Sequence, residues 1–141
     1  MFEASESAKL GAPASAVWPL WAEPSRWPEW NAQVQRAEPA GGELGKGAQV
    51  RVKLRRGGTV RHTVIELEPR AALATEVRFP GARVLYEHRV TDMHQGSEVT
   101  HRISVSGPLW ALWAPMLGRR RMRESVAGYI ERERELLGPY S

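Results

Sequence analysis

Three histidines, His62, His88 and His101, and one tyrosine, Tyr86, are the residues of this sequence best suited to proton chemistry. Each falls on the apolar side of a stretch in which apolar and polar residues alternate. The stretches are Val60, His62 and Val64; Val84, Tyr86, His88 and Val90; and Val99, His101, Ile103 and Val105. Alternation sends every second side chain to one sheet face, so all four residues are expected to face a core. An imidazole there is a hydrogen-bond anchor, or a general acid or base once apolar surroundings tune it. A tyrosine hydroxyl beside it donates to a carbonyl. The plain alternative is a core histidine that satisfies one buried hydrogen bond. His88, His101 and Tyr86 are the candidate catalytic residues.

Other chemistries find less support. Three neutral imidazoles with an open fourth position would make a catalytic zinc centre, but the spacing 62, 88 and 101 carries no local ligand motif. No metal and no cofactor are expected. There is no G-x-S-x-G nucleophile turn, and the glycines at 41, 42, 45 and 47 lack the Lys-Ser/Thr of a phosphate loop. Absence of cysteine excludes a disulfide framework, thiolate zinc sites and a cysteine nucleophile.

The elements that must position these residues follow from punctuation and period. Ser5 to Leu10 reads as a first strand, with Phe2 nearby. Pro13 opens a helix whose apolar face is Val17, Trp18, Leu20 and Trp21, with Pro19 inside it. Residues 24–30 form a second short helical turn between prolines. From Asn31 to Gly107 the period is two, and glycines mark the turns. A three-residue turn, Arg56-Gly57-Gly58, pairs Val60 with Leu54 and His62 with Val52. A turn at Gln95-Gly96 pairs Val90 with His101 and makes His88 and His101 diagonal neighbours. Gly107-Pro108 then opens a helix of about 30 residues. Its buried stripe is Leu109, Leu112, Trp113, Met116 and Leu117, resuming at Met122, Val126, Tyr129, Ile130 and Leu137. Arg and Glu cover its other face, no inward carboxylate is evident, and Glu66 turns inward only if its strand bulges.

The chain has 141 residues, 42% of them hydrophobic and 26% charged, which suits one globular domain spanning residues 1–141. The N-terminus lacks a signal peptide's apolar run, and the most apolar stretch is too broken to span a bilayer, so a cytoplasmic protein is expected. The net charge of +4 is uneven: residues 45–65 hold six basic and no acidic side chains. A basic hairpin of Arg51, Lys53, Arg55 and Arg61, with Arg119 to Arg123, offers a surface to anionic partners. No aromatic residue is interleaved among these arginines, so nucleic acid is not expected. Peripheral membrane contact stays open through Leu109 to Trp113.

The order of elements describes an α+β helix-grip architecture: a curved antiparallel sheet of about seven strands around a long C-terminal helix, with two short helices after the first strand. The stretch Ala12-Pro13-x-x-x-Val17-Trp18-x-Leu20-Trp21-Ala22-Glu23-Pro24-x-x-Trp27-Pro28-Glu29-Trp30-Asn31 resembles the N-terminal signature of START-like SRPBCC proteins of the polyketide cyclase/dehydrase type. Gly45-x-Gly47, Glu66-x-x-Pro69, Tyr86-Glu87-His88, Glu98-Val99-Thr100 and Gly107-Pro108 extend the resemblance over essentially the whole chain. It implies a small hydrophobic ligand, aromatic, polyketide-like or lipid-like, held between sheet and helix. The lining it implies is Trp27, Trp30, His62, Tyr86, His88, His101, Trp113, Met116 and Leu117. The alternative it implies is a cyclase or dehydratase using the cavity histidines. A monomer or homodimer suits either.

Overall fold

A computed structural model describes residues 2–113 and 118–140. Seven strands form one antiparallel sheet: β1 (Phe2–Leu10), β2 (Val34–Pro39), β3 (Gln49–Leu54), β4 (Thr59–Glu68), β5 (Ala72–Phe79), β6 (Ala82–Met93) and β7 (Gly96–Ser106). Their spatial order is β1-β7-β6-β5-β4-β3-β2. The first strand thus pairs with the last, and five successive hairpins complete the sheet. Irregularities between Val34 and Arg36 and between Val64 and Glu66 bend it. This is the helix-grip fold expected from the sequence.

The helices are α1 (Ala14–Ala22), α2 (Trp27–Trp30) and α3 (Arg119–Leu137). Pro13 precedes α1, and the Ala14 amide donates to the Asp92 carboxylate at 2.8 Å, a cap supplied by β6. The end of α1 leaves carbonyls without intrahelical partners. Two indoles meet this need: Trp30 Nε1 donates to the Leu20 carbonyl at 2.6 Å and Trp27 Nε1 to that of Trp21 at 2.8 Å. These prolines and tryptophans are therefore one unit, fixing α2 under the end of α1.

The C-terminal helix departs from the sequence expectation. Gly107-Pro108 leads into a short 3-10 turn, Trp110–Trp113; Leu112 within it and Leu109 just before it are exposed rather than part of a buried stripe. Gly118, extended at φ −68 and ψ 158, precedes α3, which therefore begins at Arg119. The helix of 19 residues is about 28 Å long and packs on β1 and β7, touching α1 and α2. It ends at Gly138, whose φ of +91 a side chain would disfavour.

Both hairpin registers also differ from expectation by two residues. Val60 pairs with Val52 and His62 with Val50, because the turn runs over Leu54 to Gly58, with Gly57 at φ +106. His88 lies directly opposite His101, not diagonal to it. The turn there is His94-Gln95, with Gln95 at φ +65, and Gly96 already belongs to β7. A shift of two keeps every side chain on its face, so the inward sets survive. Gly96 abuts β1 so closely that a Cβ would overlap the Leu10 carbonyl. Gly96→Ala is therefore expected to lower unfolding stability in urea by about 1–3 kcal/mol. A loss below ~0.5 kcal/mol would show that the end of β1 can move aside.

Candidate functional site

Inward side chains of β3 to β7 and the start of α3 enclose a cavity of about 470 Å³. Helix α3 lies on the β1 and β7 end of the sheet, leaving open space over β3 and β4. Val34, Val52, Leu54, Val60, Val77, Phe79, Ile103 and Met122 supply its apolar wall. Arg55, Arg56 and Arg121 stand at its border with Glu124. The Gln33 side chain closes one side by donating to Ser125 Oγ at 2.7 Å.

A niche of about 20 Å³ adjoins this cavity and shares Asn31, Val34, His62, Tyr86 and Tyr129 with it. That is room for one water-sized group. Its remaining lining is Trp27, Trp30, Leu73, Thr75 and His88. His62 Nδ1 and Thr75 Oγ1 share a hydrogen bond of 2.9 Å. Burial pushes His62 down to about 4 and the Tyr86 hydroxyl up to about 12, so at neutral pH one is an uncharged imidazole and the other a protonated donor. Burial also raises Tyr129 far above the ordinary tyrosine range.

Behind the niche lies a buried chain of polar groups. His88 Nδ1 meets His101 Nδ1 at 2.7 Å, and His101 Nε2 meets Glu133 Oε1 at 2.7 Å. The other Glu133 oxygen accepts from Trp21 Nε1 at 2.8 Å. His101 and Glu133 are both 0% exposed. Trp30 stacks on His101, and Trp21 and Tyr129 meet both imidazoles by tilted or edge contacts. Burial, then the nearby His101 and His62, holds His88 well below the usual histidine range. Among the described residues no protein hydrogen bond engages its Nε2, and no fully buried polar side-chain atom lacks a partner. Nε2 therefore opens on the niche.

The placement of the expected residues is uneven. Trp27, Trp30, His62, Tyr86 and His88 border the niche. His101, expected on the cavity surface, lies behind His88, because direct cross-strand pairing brings their rings together. Trp113 packs on Phe79 and donates to the Pro80 carbonyl at 2.9 Å, outside the cavity lining. Met116 and Leu117 lie outside the described residues. The sheet does bulge beside Glu66, yet that side chain stays outside and pairs with Arg89 at 3.0 Å.

The inward carboxylate is Glu133, which sequence reasoning assigned to the solvated face. The signal was present: Glu133 follows Val126 by seven residues and Tyr129 by four, on the stripe that α3 buries. Among the described residues, no group of three or more acidic, histidine or cysteine side chains is arranged to hold a metal ion. On the outer face Arg51 and Arg61 pair directly across β3 and β4, both exposed. No helix among the described residues is long and apolar enough to cross a membrane.

Known structures share the fold at low identity. Protein MLL2253 from Mesorhizobium loti superposes with a TM-score of 0.74 at 14% identity, covering 96% of each chain. The di-domain ARO/CYC BexL from the BE-7585A biosynthetic pathway gives 0.72 at 19%, covering 94% of this chain and 46% of that one. Ara h 8.0201 gives 0.72 at 13%, covering 96% and 97%. No curated protein sequence matches the chain. Residues 1–135 match the profile described as polyketide cyclase / dehydrase and lipid transport, and the chain belongs to that family.

Proposed function

We propose that the cavity holds a small hydrophobic ligand, aromatic or polyketide-like, whose one hydrogen-bonding oxygen enters the polar niche. The observation that carries this reading is the pairing of a large apolar space with a water-sized niche where His62, Tyr86, His88 and Tyr129 converge. Apolar walls with a few convergent polar groups are the usual make-up of a small-molecule site. The family supports it, as does BexL, a protein of a biosynthetic pathway. Arg55, Arg56 and Arg121 at the border favour a ligand with an anionic outer end.

Isothermal titration calorimetry with 2-naphthol tests the reading, and saturable binding is expected. Val60, half-buried in the cavity wall, is the place to fill it. Val60→Trp is expected to weaken binding roughly tenfold or more while leaving the circular dichroism spectrum unchanged. Binding that is absent, or unaffected by the filled wall, would sink the proposal. A second reading, acid–base conversion of the ligand in the manner of a cyclase or dehydratase, is favoured by the open Nε2 of His88.

A further inference from the structure

We propose that Glu133, His101 and His88 form a proton relay that makes His88 Nε2 the proton acceptor for an enolisable ketone in the cavity, a role that rests on the ligand-binding reading above. The wiring follows from donors and acceptors. Trp21 Nε1–H can only donate, so it takes one Glu133 oxygen. With Glu133 as a carboxylate, its other oxygen accepts too, and His101 must carry its proton on Nε2. A neutral His101 then presents a bare Nδ1, which accepts from Nδ1–H of His88. His88 is left with its lone pair on Nε2, aimed at the niche.

Buried polar groups thus select one tautomer in each ring, because the hydrogen bond at one ring nitrogen decides which nitrogen carries the proton. The proton count balances along the chain. The ligand's α C–H bond breaks and its electron pair stays with the ligand as an enolate, whose oxygen would occupy the niche that Tyr86 also lines. The proton goes to His88 Nε2. The proton on His88 Nδ1 crosses 2.7 Å to His101 Nδ1. His88 ends neutral, and the positive charge rests on His101 beside the Glu133 carboxylate, 2.7 Å away. Reprotonation runs the same path backwards. Without the relay, a cation would have to sit on His88 among Trp21, Trp30 and Tyr129, where its desolvation is unfavourable. His88 is the group that meets ligand; His101 and Glu133 are positioning residues.

Glu133→Gln separates wiring from packing. The new amide keeps an oxygen for Trp21 and turns its NH2 to His101, whose Nε2 must then be bare. His101 therefore donates from Nδ1, and His88 must carry its proton on Nε2, facing the niche as a donor. Long-range 1H–15N spectra of the imidazoles read these tautomers directly. Wild type is expected to show a bare Nε2 on His88, and Glu133→Gln the opposite. Deuterium exchange into the α positions of 2-tetralone, followed by proton NMR in D2O, reads the chemistry. Wild type is expected to exceed the buffer rate, and Glu133→Gln and His88→Gln to fall about 10²-fold, with calorimetric affinity for 2-tetralone in Glu133→Gln held within a few-fold. The same His88 tautomer in both proteins would overturn the relay. So would 2-tetralone that binds wild type without faster exchange, or exchange that Glu133→Gln leaves undiminished. If 2-tetralone does not bind at all, the ligand reading and the chemistry fall together, and the tautomer comparison still judges the wiring.

Discussion

Glu133→Ala is expected to lower the stability of the fold by about 2–6 kcal/mol, because it removes the one acceptor of two buried donors. Glu133 is fully buried and serves two donors, Trp21 Nε1–H and His101 Nε2–H, from α1 and β7. Its removal strands both in a box of indole and phenol rings, and each orphaned buried donor costs about 1–3 kcal/mol. Small domains are stable by only about 5–15 kcal/mol in total, so the variant should unfold at much lower urea concentration. Glu133→Gln, which keeps shape and hydrogen bonds by the tautomer switch, should lose about 1 kcal/mol or less. Equal losses in the two variants would show that the carboxylate itself, and neither side-chain volume nor the rewired hydrogen bonds, stabilises this region. A loss below ~1 kcal/mol for Glu133→Ala would mean that water replaces the carboxylate without penalty.

Acid should destabilise the protein through its buried histidines. His62 falls from 6.5 to about 4 on folding. Between those values the unfolded chain binds a proton that the native state refuses, so stability rises with pH through this window and is lost as pH falls through it. For His62 alone the loss from pH 7 to pH 4 is about 3 kcal/mol. His62 borders the cavity, so the surface it keeps meets that confined space more than bulk water, and the desolvation remains effective. Its neighbours are Trp27 from α2, Thr75 from β5 and Tyr86 from β6, none of them a carboxylate able to hold the cation. His88, lowered by its own burial, adds in the same direction. Urea unfolding at pH 7 and at pH 4.5 measures the slope, and His62→Gln should flatten it. A stability that stays level across that range, or a slope that His62→Gln leaves unchanged, would contradict the account.

The inward positions of His62, Tyr86, His88 and His101 could be read from alternation alone, because strand side chains repeat every two residues and any even shift of register preserves the face. The shift of two at the β6–β7 turn was not legible. It depends on Gln95 adopting φ +65, a conformation that a local pattern does not announce for a non-glycine residue. Yet that shift decides whether His88 and His101 touch across the sheet or pass each other. Glu133 shows a different limit. Its position on the buried stripe of α3 was legible, but its charge argued for solvent, since carboxylates are rarely buried without partners. Its partners, Trp21 and His101, lie 112 and 32 residues away.

By itself, then, the sequence determined the order of elements, the helix-grip class and which strand side chains look inward. These depend on local period and punctuation, which every short stretch carries within itself. Only the tertiary structure decided that the histidines split into two kinds: His62 and His88 border the niche, while His101 is sealed behind His88 against Glu133. That division arises from cross-strand register and from α3 laid over β1 and β7. Both are contacts between distant parts of the chain, and hydrogen-bond satisfaction in a buried site is a property of all its members together.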